Sequence, residues 1–236
     1  MELILTCNIQ KQYGLQYLFI KKIKLILYLH HSPIWIQKIL PSFIWKKRHA
    51  QKVVHLTFDD GPIPEVTPWV LNVLKTYNAK ATFFCVGENI KKHPQIYTQI
   101  ISESHIVGNH TYNHLKGIQT SDTIYLSNIQ QCAETMARYA KVKPPLLFRP
   151  PYGRLKFSQA KKIRELNYEI VLWDVLSGDF DNKLSKEKCL KASLKHTKSG
   201  SIVVFHDNIK SFETLQYVLP LYLKTLTEKG YKFESL

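Results

Sequence analysis

The chain is poor in the residues that staple a fold or thread it through a bilayer. It has four cysteines in 236 residues, Cys7, Cys85, Cys132 and Cys189, and no C-x-x-C pair. Their scatter excludes a disulfide framework and a cysteine zinc site, and it favours a reducing compartment. Cys85, inside an apolar run, reads as a small buried hydrophobe. No uninterrupted apolar stretch approaches the roughly 20 residues a membrane span needs. The early run Tyr17-Leu18-Phe19-Ile20 is cut off by Lys21, Lys22 and Lys24. A secretory signal needs a basic start, an apolar core and then small residues. Here Glu2 comes early, the lysines come late and no Ala-x-Ala follows. A cytoplasmic or membrane-associated protein is therefore expected over a secreted one. Acidic residues are scarce as well, 18 Asp+Glu against 33 Lys+Arg, a formal charge of +15. Such an excess suits anionic lipid, acidic polysaccharide or nucleic acid, and equally a solvated basic surface. With no zinc finger, no basic heptad helix and no glycine-rich phosphate loop, a nucleic-acid partner is not expected.

What is present is an ordinary globular composition, 44% hydrophobic and 22% charged, which excludes disorder as the default. Residues 1–50 form a basic, aromatic leader in which Lys21, Lys22, Lys24, Lys38, Lys46, Lys47 and Arg48 face only Glu2, with Trp35 and Trp45 among Ile and Pro. Such a segment fits peripheral contact with an anionic membrane, or an extension packed under the following domain; a misassigned start over the first 25 or so residues is a third reading. Residues 51–236 read as one domain of alternating strands and helices. Strands are expected at Val53–Phe58, Ala81–Gly87, His105–His110, Leu146–Arg149, Tyr168–Val175, Ser201–His206 and Tyr231–Phe233. Helices are expected between them, with Thr67, Ser121 and Ser185 as caps. Near-continuous apolar strands alternating with helices mean a parallel sheet covered on both faces, or a barrel.

The unusual polar residues collect at the C-terminal ends of these strands: Asp59 and Asp60, His110 and His114, Arg149 and Tyr152, Asp174 and Asp179, His206 and Asp207. In a parallel barrel those ends form one rim, where barrel enzymes keep their active sites. Asp174 there reads as a strand-end hydrogen-bond partner. The run Thr57-Phe58-Asp59-Asp60-Gly61-Pro62 ends a strand in two acids and a turn signal, so both carboxylates can reach the open end. His110-Thr111-Tyr112-Asn113-His114 spaces two histidines at i, i+4, and a helical turn would put both imidazoles on one side. Two histidines and one acid, with positions left open, suit catalytic zinc and also non-haem iron or cobalt.

These motifs resemble those of the polysaccharide deacetylases, carbohydrate esterase family 4, over about residues 52–236. T-F-D-D-G-P is complete at Thr57–Pro62, H-[ST]-x-x-H at His110–His114, and R-x-P-[FY]-G at Arg149–Gly153. D-x-x-D-W is altered to Leu176-Ser177-Gly178-Asp179-Phe180, and L-x-H appears as Val204-Phe205-His206. The resemblance implies a distorted, incomplete TIM-like (β/α)7 barrel, an α/β fold, and a metal-dependent amide hydrolase that de-N-acetylates N-acetylated sugars. It implies Asp60, His110 and His114 as ligands of a divalent metal, Zn2+ with Co2+ as an alternative, and Asp59 as general base. It further implies Arg149 as the residue orienting Asp59, His206 as general acid paired with Asp179, and the Tyr152 N–H as oxyanion donor. Pro151, Phe180 and Val204 would line the substrate side. The departures at Leu176, Phe180 and Val204 bear on the acyl pocket more than on the chemistry. Three rivals stay open at this stage. A small amide or imide hydrolase of the same superfamily would have a closed pocket. A non-catalytic carbohydrate-binding protein would need neither Asp59 nor His206. A non-haem iron oxygenase would need a cosubstrate site for which the sequence offers no candidate. His55, His93, His105 and His196 fall outside every motif and read as structural or surface residues.

Overall fold

A computed structural model describes residues 29–140 and 145–236. Cys7, the Tyr17–Ile20 run, Lys21, Lys22 and Lys24 lie outside the described residues. The first described helix, α1, is Ile34–Ile39; β1 is Val53–Asp59, α2 Val66–Thr76, β2 Ala81–Cys85, α3 Gly87–Lys92, α4 Pro94–Ser102, and β3 Ile106–Asn109. Then come α5 Asp122–Tyr139, β4 Leu147–Phe148, α6 Phe157–Glu165, β5 Glu169–Ile170, β6 Val175–Leu176, α7 Lys186–His196, β7 Ile202–His206, α8 Ile209–Glu228 and β8 Lys232–Phe233. Ser121 and Ser185 cap α5 and α7 as expected, each accepting an N–H of the first turn. Cys85, Cys132 and Cys189 are buried free thiols.

The sheet is parallel in the order β5-β4-β3-β2-β1-β7-β6, with β8 beside the start of β1. Strands β5 and β6 are neighbours in the chain yet lie at opposite ends of this order, so the sheet curls into a half-barrel. β1 is buried along its whole length, and its alternation sorts the two faces. Val54, Leu56 and Phe58 pack with Val70, Leu74, Leu219 and Leu223 of the outer helices. Thr57 and Asp59 turn inward, and the Arg149 guanidinium reaches both.

The single strand expected over Tyr168–Val175 is broken in two. Residues 171–174 leave the β4 ladder before the chain joins β7. Buried Arg149 makes the break affordable: its Nε donates to the Val171 carbonyl (3.3 Å) and its Nη2 to the Leu172 carbonyl (3.0 Å). Those acceptors would otherwise be left unsatisfied in the interior.

The described part of the leader lines this gap. The Ile44 N–H donates to the Ile170 carbonyl (2.9 Å), and the Leu172 N–H donates to the Ile44 carbonyl (2.8 Å). Ile36, Phe43 and Trp45 join Phe148, Val171 and Val204 in one buried cluster. Asp174 anchors the segment from below. Fully buried, it accepts from the Ser201 hydroxyl (2.7 Å) and the Gln37 amide (3.3 Å) and pairs with Lys46 (3.2 Å) and His31 (3.3 Å). Asp174 is thus a hydrogen-bond partner, but it does not stand on the catalytic rim. It precedes β6, level with the start of β7, at the opposite end of the sheet.

Candidate active site

Five segments bring their side chains to the C-terminal ends of the strands. Asp59 closes β1 and His206 closes β7, and the two are register partners in neighbouring parallel strands. Partners in register share a face, so both project to the interior side about 5 Å apart along the hydrogen-bond direction. Asp60 would point away if the strand continued. Instead its φ of 86° turns the backbone, and its carboxylate swings to the same end. Asn89 fixes this kink, its amide donating to the Asp60 carbonyl (2.8 Å).

The two histidines do meet Asp60, but on a loop and not on a helical turn. Thr111 and His114 have φ of 64° and 55°, which an α-helix excludes. Side-chain carbonyls take the loop's amides: Asn109 accepts from the Thr111 N–H (2.9 Å), and Asn128 accepts from those of Tyr112 (2.8 Å) and Asn113 (3.1 Å). His110 Nδ1 donates to the Arg149 carbonyl (2.7 Å), which leaves its Nε2 with a lone pair facing Asp60 Oδ1 at 3.6 Å. His114 Nε2 lies 3.1 Å from the same oxygen. One ligand atom from each of the three residues falls within 4.8 Å of the others.

This donor set fits a divalent cation. Asp60 Oδ1 is buried and accepts no hydrogen bond, a costly state unless a positive charge completes it. Burial pushes the Asp60 carboxyl up, but the imidazoles of His114, His206 and His110 outweigh it and hold the group well below the usual carboxylate range. Burial lowers His110 to about 4, overriding the attraction of Asp59 and Asp60, so at neutral pH the ring is in its ligating, neutral form.

On either side of this triad sits a charge held by a buried partner. Arg149, fully buried, donates to Asp59 Oδ1 (2.7 Å) and to the Thr57 hydroxyl (2.7 Å), and its guanidinium lies 4.1 Å from the centre of the Phe84 ring. Asp179, also fully buried, accepts from His206 Nδ1 (2.8 Å), from the His206 N–H (2.7 Å) and from the Ser177 hydroxyl (3.0 Å). Burial disfavours a charged His206, but the Asp179 carboxylate prevails and raises it to about 9. Phe180 meets the His206 ring edge-on, with centroids 5.1 Å apart. Tyr152 has a φ of 61°. Its ring lies 4.7 Å from that of His114 and 5.1 Å from the Lys116 amine. Pro151 is buried beside it. Val204 is fully buried two residues before His206, on the same face of β7.

Some contributors carry no sequence motif. Thr67 does not cap α2, which begins at Val66 with no side-chain cap. Its hydroxyl donates instead to buried Asp207 Oδ2 (2.6 Å) and accepts from the Ile63 N–H (2.8 Å). Burial raises Asp207 to about 8, despite the opposing bonds from Thr67 and Gly61. Asn208 donates to Asp60 Oδ2 (2.6 Å). Its signal is positional: an Asn directly before an apolar-periodic segment, with α8 starting at Ile209. Of the histidines outside the motifs, His55 is buried and hydrogen-bonds the Glu234 carbonyl (2.9 Å), His105 accepts from the Ala81 N–H (3.1 Å), and His196 packs against His31.

An acid paired with a buried guanidinium, beside a cluster of one carboxylate and two imidazoles, with a protonated imidazole in the adjacent register position, serves a reaction that activates water and protonates a leaving group. The class defined is a metal-assisted hydrolase on a parallel half-barrel. Comparison with known proteins narrows it. A family model described as polysaccharide deacetylase matches residues 46–171. A peptidoglycan-N-acetylglucosamine deacetylase of Bacillus cereus is 36% identical over 194 residues, covering 81% of this chain and 90% of the relative. A chitooligosaccharide deacetylase of Azorhizobium caulinodans is 32% identical over 204 residues, covering 79% and 93%. A crystal structure of a peptidoglycan N-acetylglucosamine deacetylase superposes with a TM-score of 0.75 at 33% identity, covering 86% of this chain and 93% of that one. The chain belongs to the polysaccharide deacetylase family and is a deacetylase of the hydrolase class.

Proposed function

We propose that this enzyme removes acetyl groups from N-acetylated glycan chains of the peptidoglycan or chitin type, with zinc as its metal and cobalt as a working substitute. The observation that carries the reading is the register pairing of Asp59 with His206, each held by its own buried counter-charge. Bound at Asp60, His110 and His114, zinc would polarise the acetyl carbonyl and bring the pKa of a coordinated water to about 7. Asp59 accepts the proton of the attacking water, and the Arg149 guanidinium at 2.7 Å aims that carboxylate. The Tyr152 N–H faces the developing oxyanion. His206, protonated through Asp179, delivers a proton to the departing nitrogen, so that amide and water become amine and acetate. Pro151, Phe180 and Val204 shape the acyl side.

A glycan chain is favoured over a small amide or imide because the site is open. The Tyr152 residue is 49% exposed and the His114 side chain 29%. Acetate release should be measured from N-acetylglucosamine oligomers and peptidoglycan fragments with added zinc or cobalt. Release from none of them, under conditions where a small cyclic imide is opened, would reverse the preference.

The alkaline limb tests the acid. His206 is raised to about 9, so the proton it must donate is present below that pH and lost above it. Replacing Asp179 by Asn removes the counter-charge and should move the limb of kcat/KM down by ~1–2 pH units, alongside a lower plateau. The metal's charge acts equally on both proteins, so the difference between them is informative. An unmoved limb would remove His206 from the acid's role.

The leader supports a peripheral membrane contact. Ile34, Trp35 and Ile39 are exposed on α1, Lys38 lies in its last turn, and Lys47 and Arg48 follow. No helix among the described residues is long and apolar enough to cross a membrane. The full chain should float with anionic liposomes, and Trp35→Ser should lower the bound fraction; equal flotation of both would discard the contact.

A further inference from the structure

The β7–α8 junction supplies more than the acid. His206 is followed by Asp207 and Asn208, and both reach back to the loop that carries Asp60. The Asp207 carboxylate accepts from the Gly61 N–H (3.0 Å) and from Thr67 (2.6 Å). A Cβ on Gly61 would run into that carboxylate, so the loop is seated directly on it. Asn208 then takes the ligand itself, its Nδ2 donating to Asp60 Oδ2 at 2.6 Å. The amide's orientation is fixed, because Asn208 Oδ1 accepts the Ser211 N–H (2.9 Å) as the cap of α8, which leaves only the NH2 group for Asp60. The two oxygens of Asp60 are therefore unequal: Oδ2 is engaged, while Oδ1 is buried, without a hydrogen bond, and turned toward His110 and His114.

We propose that Asn208 is a positioning residue for the metal carboxylate, holding Asp60 Oδ2 so that Oδ1 alone is presented with the two imidazoles as a third ligand. The inference rests on the metal-site reading above and concerns this chain's own residues. A carboxylate free to rotate could offer either oxygen or both, and would have to be ordered each time a cation binds. Asn208 does that ordering in the fold, coupled to the helix it caps.

The test is zinc affinity of the full chain, read by competition with a chromophoric chelator, with thermal midpoints of the metal-free proteins measured in parallel. Asn208→Ser and Asn208→Thr keep an acceptor for the Ser211 N–H, and both residues make good helix caps. Neither hydroxyl has the length to reach Asp60 Oδ2. Both variants should bind zinc 10–100-fold more weakly, the usual scale for losing a partner of a ligand, with midpoints close to that of the parent. Having two such variants guards against one failing to fold. Parent-like zinc affinity in a folded variant overturns the inference while leaving the metal site standing. A parent chain that takes up no zinc overturns both together.

Discussion

Replacing Asp59 by Asn should leave zinc uptake intact and cut acetate release by about 10³-fold, within the range that a positioned general base contributes. Asp59 is not among the three residues that meet as ligands; its carboxylate is committed to Arg149 at 2.7 Å. Asn preserves the shape but has no basic oxygen with which to take the water's proton. The change has a second consequence. Arg149 is fully buried and Asp59 is its only ion-pair partner among the described residues, so Asn leaves a cation in the interior without a counter-charge. The variant should be destabilised by up to about 3–5 kcal/mol, the cost of breaking a buried pair from one side. Activity must therefore be read well below the variant's melting temperature. Zinc binding by chelator competition and acetate release at saturating zinc separate the two effects. A folded, zinc-loaded variant that releases acetate at the parent rate would remove Asp59 from the base's role.

That double duty of Asp59 marks the boundary of what the sequence made legible. Runs such as Val53–Phe58 and Ile202–Val204 declare buried parallel strands, because their residues, His55 apart, are apolar or small enough to be covered on both faces. The chemistry declares itself where several unusual side chains fall at strand ends. Less legible were features decided by a distant partner. Nothing near Leu172 announces that the strand breaks there; Arg149 decides it by donating to two carbonyls. Thr67 followed by proline has every local mark of a cap, and a buried carboxylate 140 positions away takes its hydroxyl. The i, i+4 histidines do converge, but Asn109 and Asn128 hold them in a loop that no periodicity encodes. Asp174 looks like its neighbours in sequence, and only the split of the strand sends it to the far end to grip Lys46 and His31. Local preference writes the elements, and long-range polar satisfaction trims their ends.

Arg149 is where those long-range demands meet, and its replacement should have the largest combined effect on stability and activity. Its guanidinium donates to Asp59, to the Thr57 hydroxyl and to the carbonyls of Val171 and Leu172. It is packed between Phe84 and Trp173. Lysine cannot substitute: an ammonium concentrates three donors at one point, whereas these acceptors lie around a planar fork. Arg149→Lys should lower the thermal midpoint by about 10 °C, taking ~3–5 kcal/mol for the broken buried network at ~2–4 °C per kcal/mol for a chain of this size. Arg149→Met removes the charge and strands the Asp59 carboxylate in the interior, where protonation is the cheaper state; acetate release should fall by at least ~10²-fold. Combining Asp59→Asn with Arg149→Met removes both charges, and paired removal costs less than the sum of the single changes. The double variant should therefore melt above the level that additivity predicts and yet recover no activity. Additive stabilities would show that the two charges do not depend on each other. A fully active Arg149→Lys protein would show that neither the strand break nor the base needs the guanidinium.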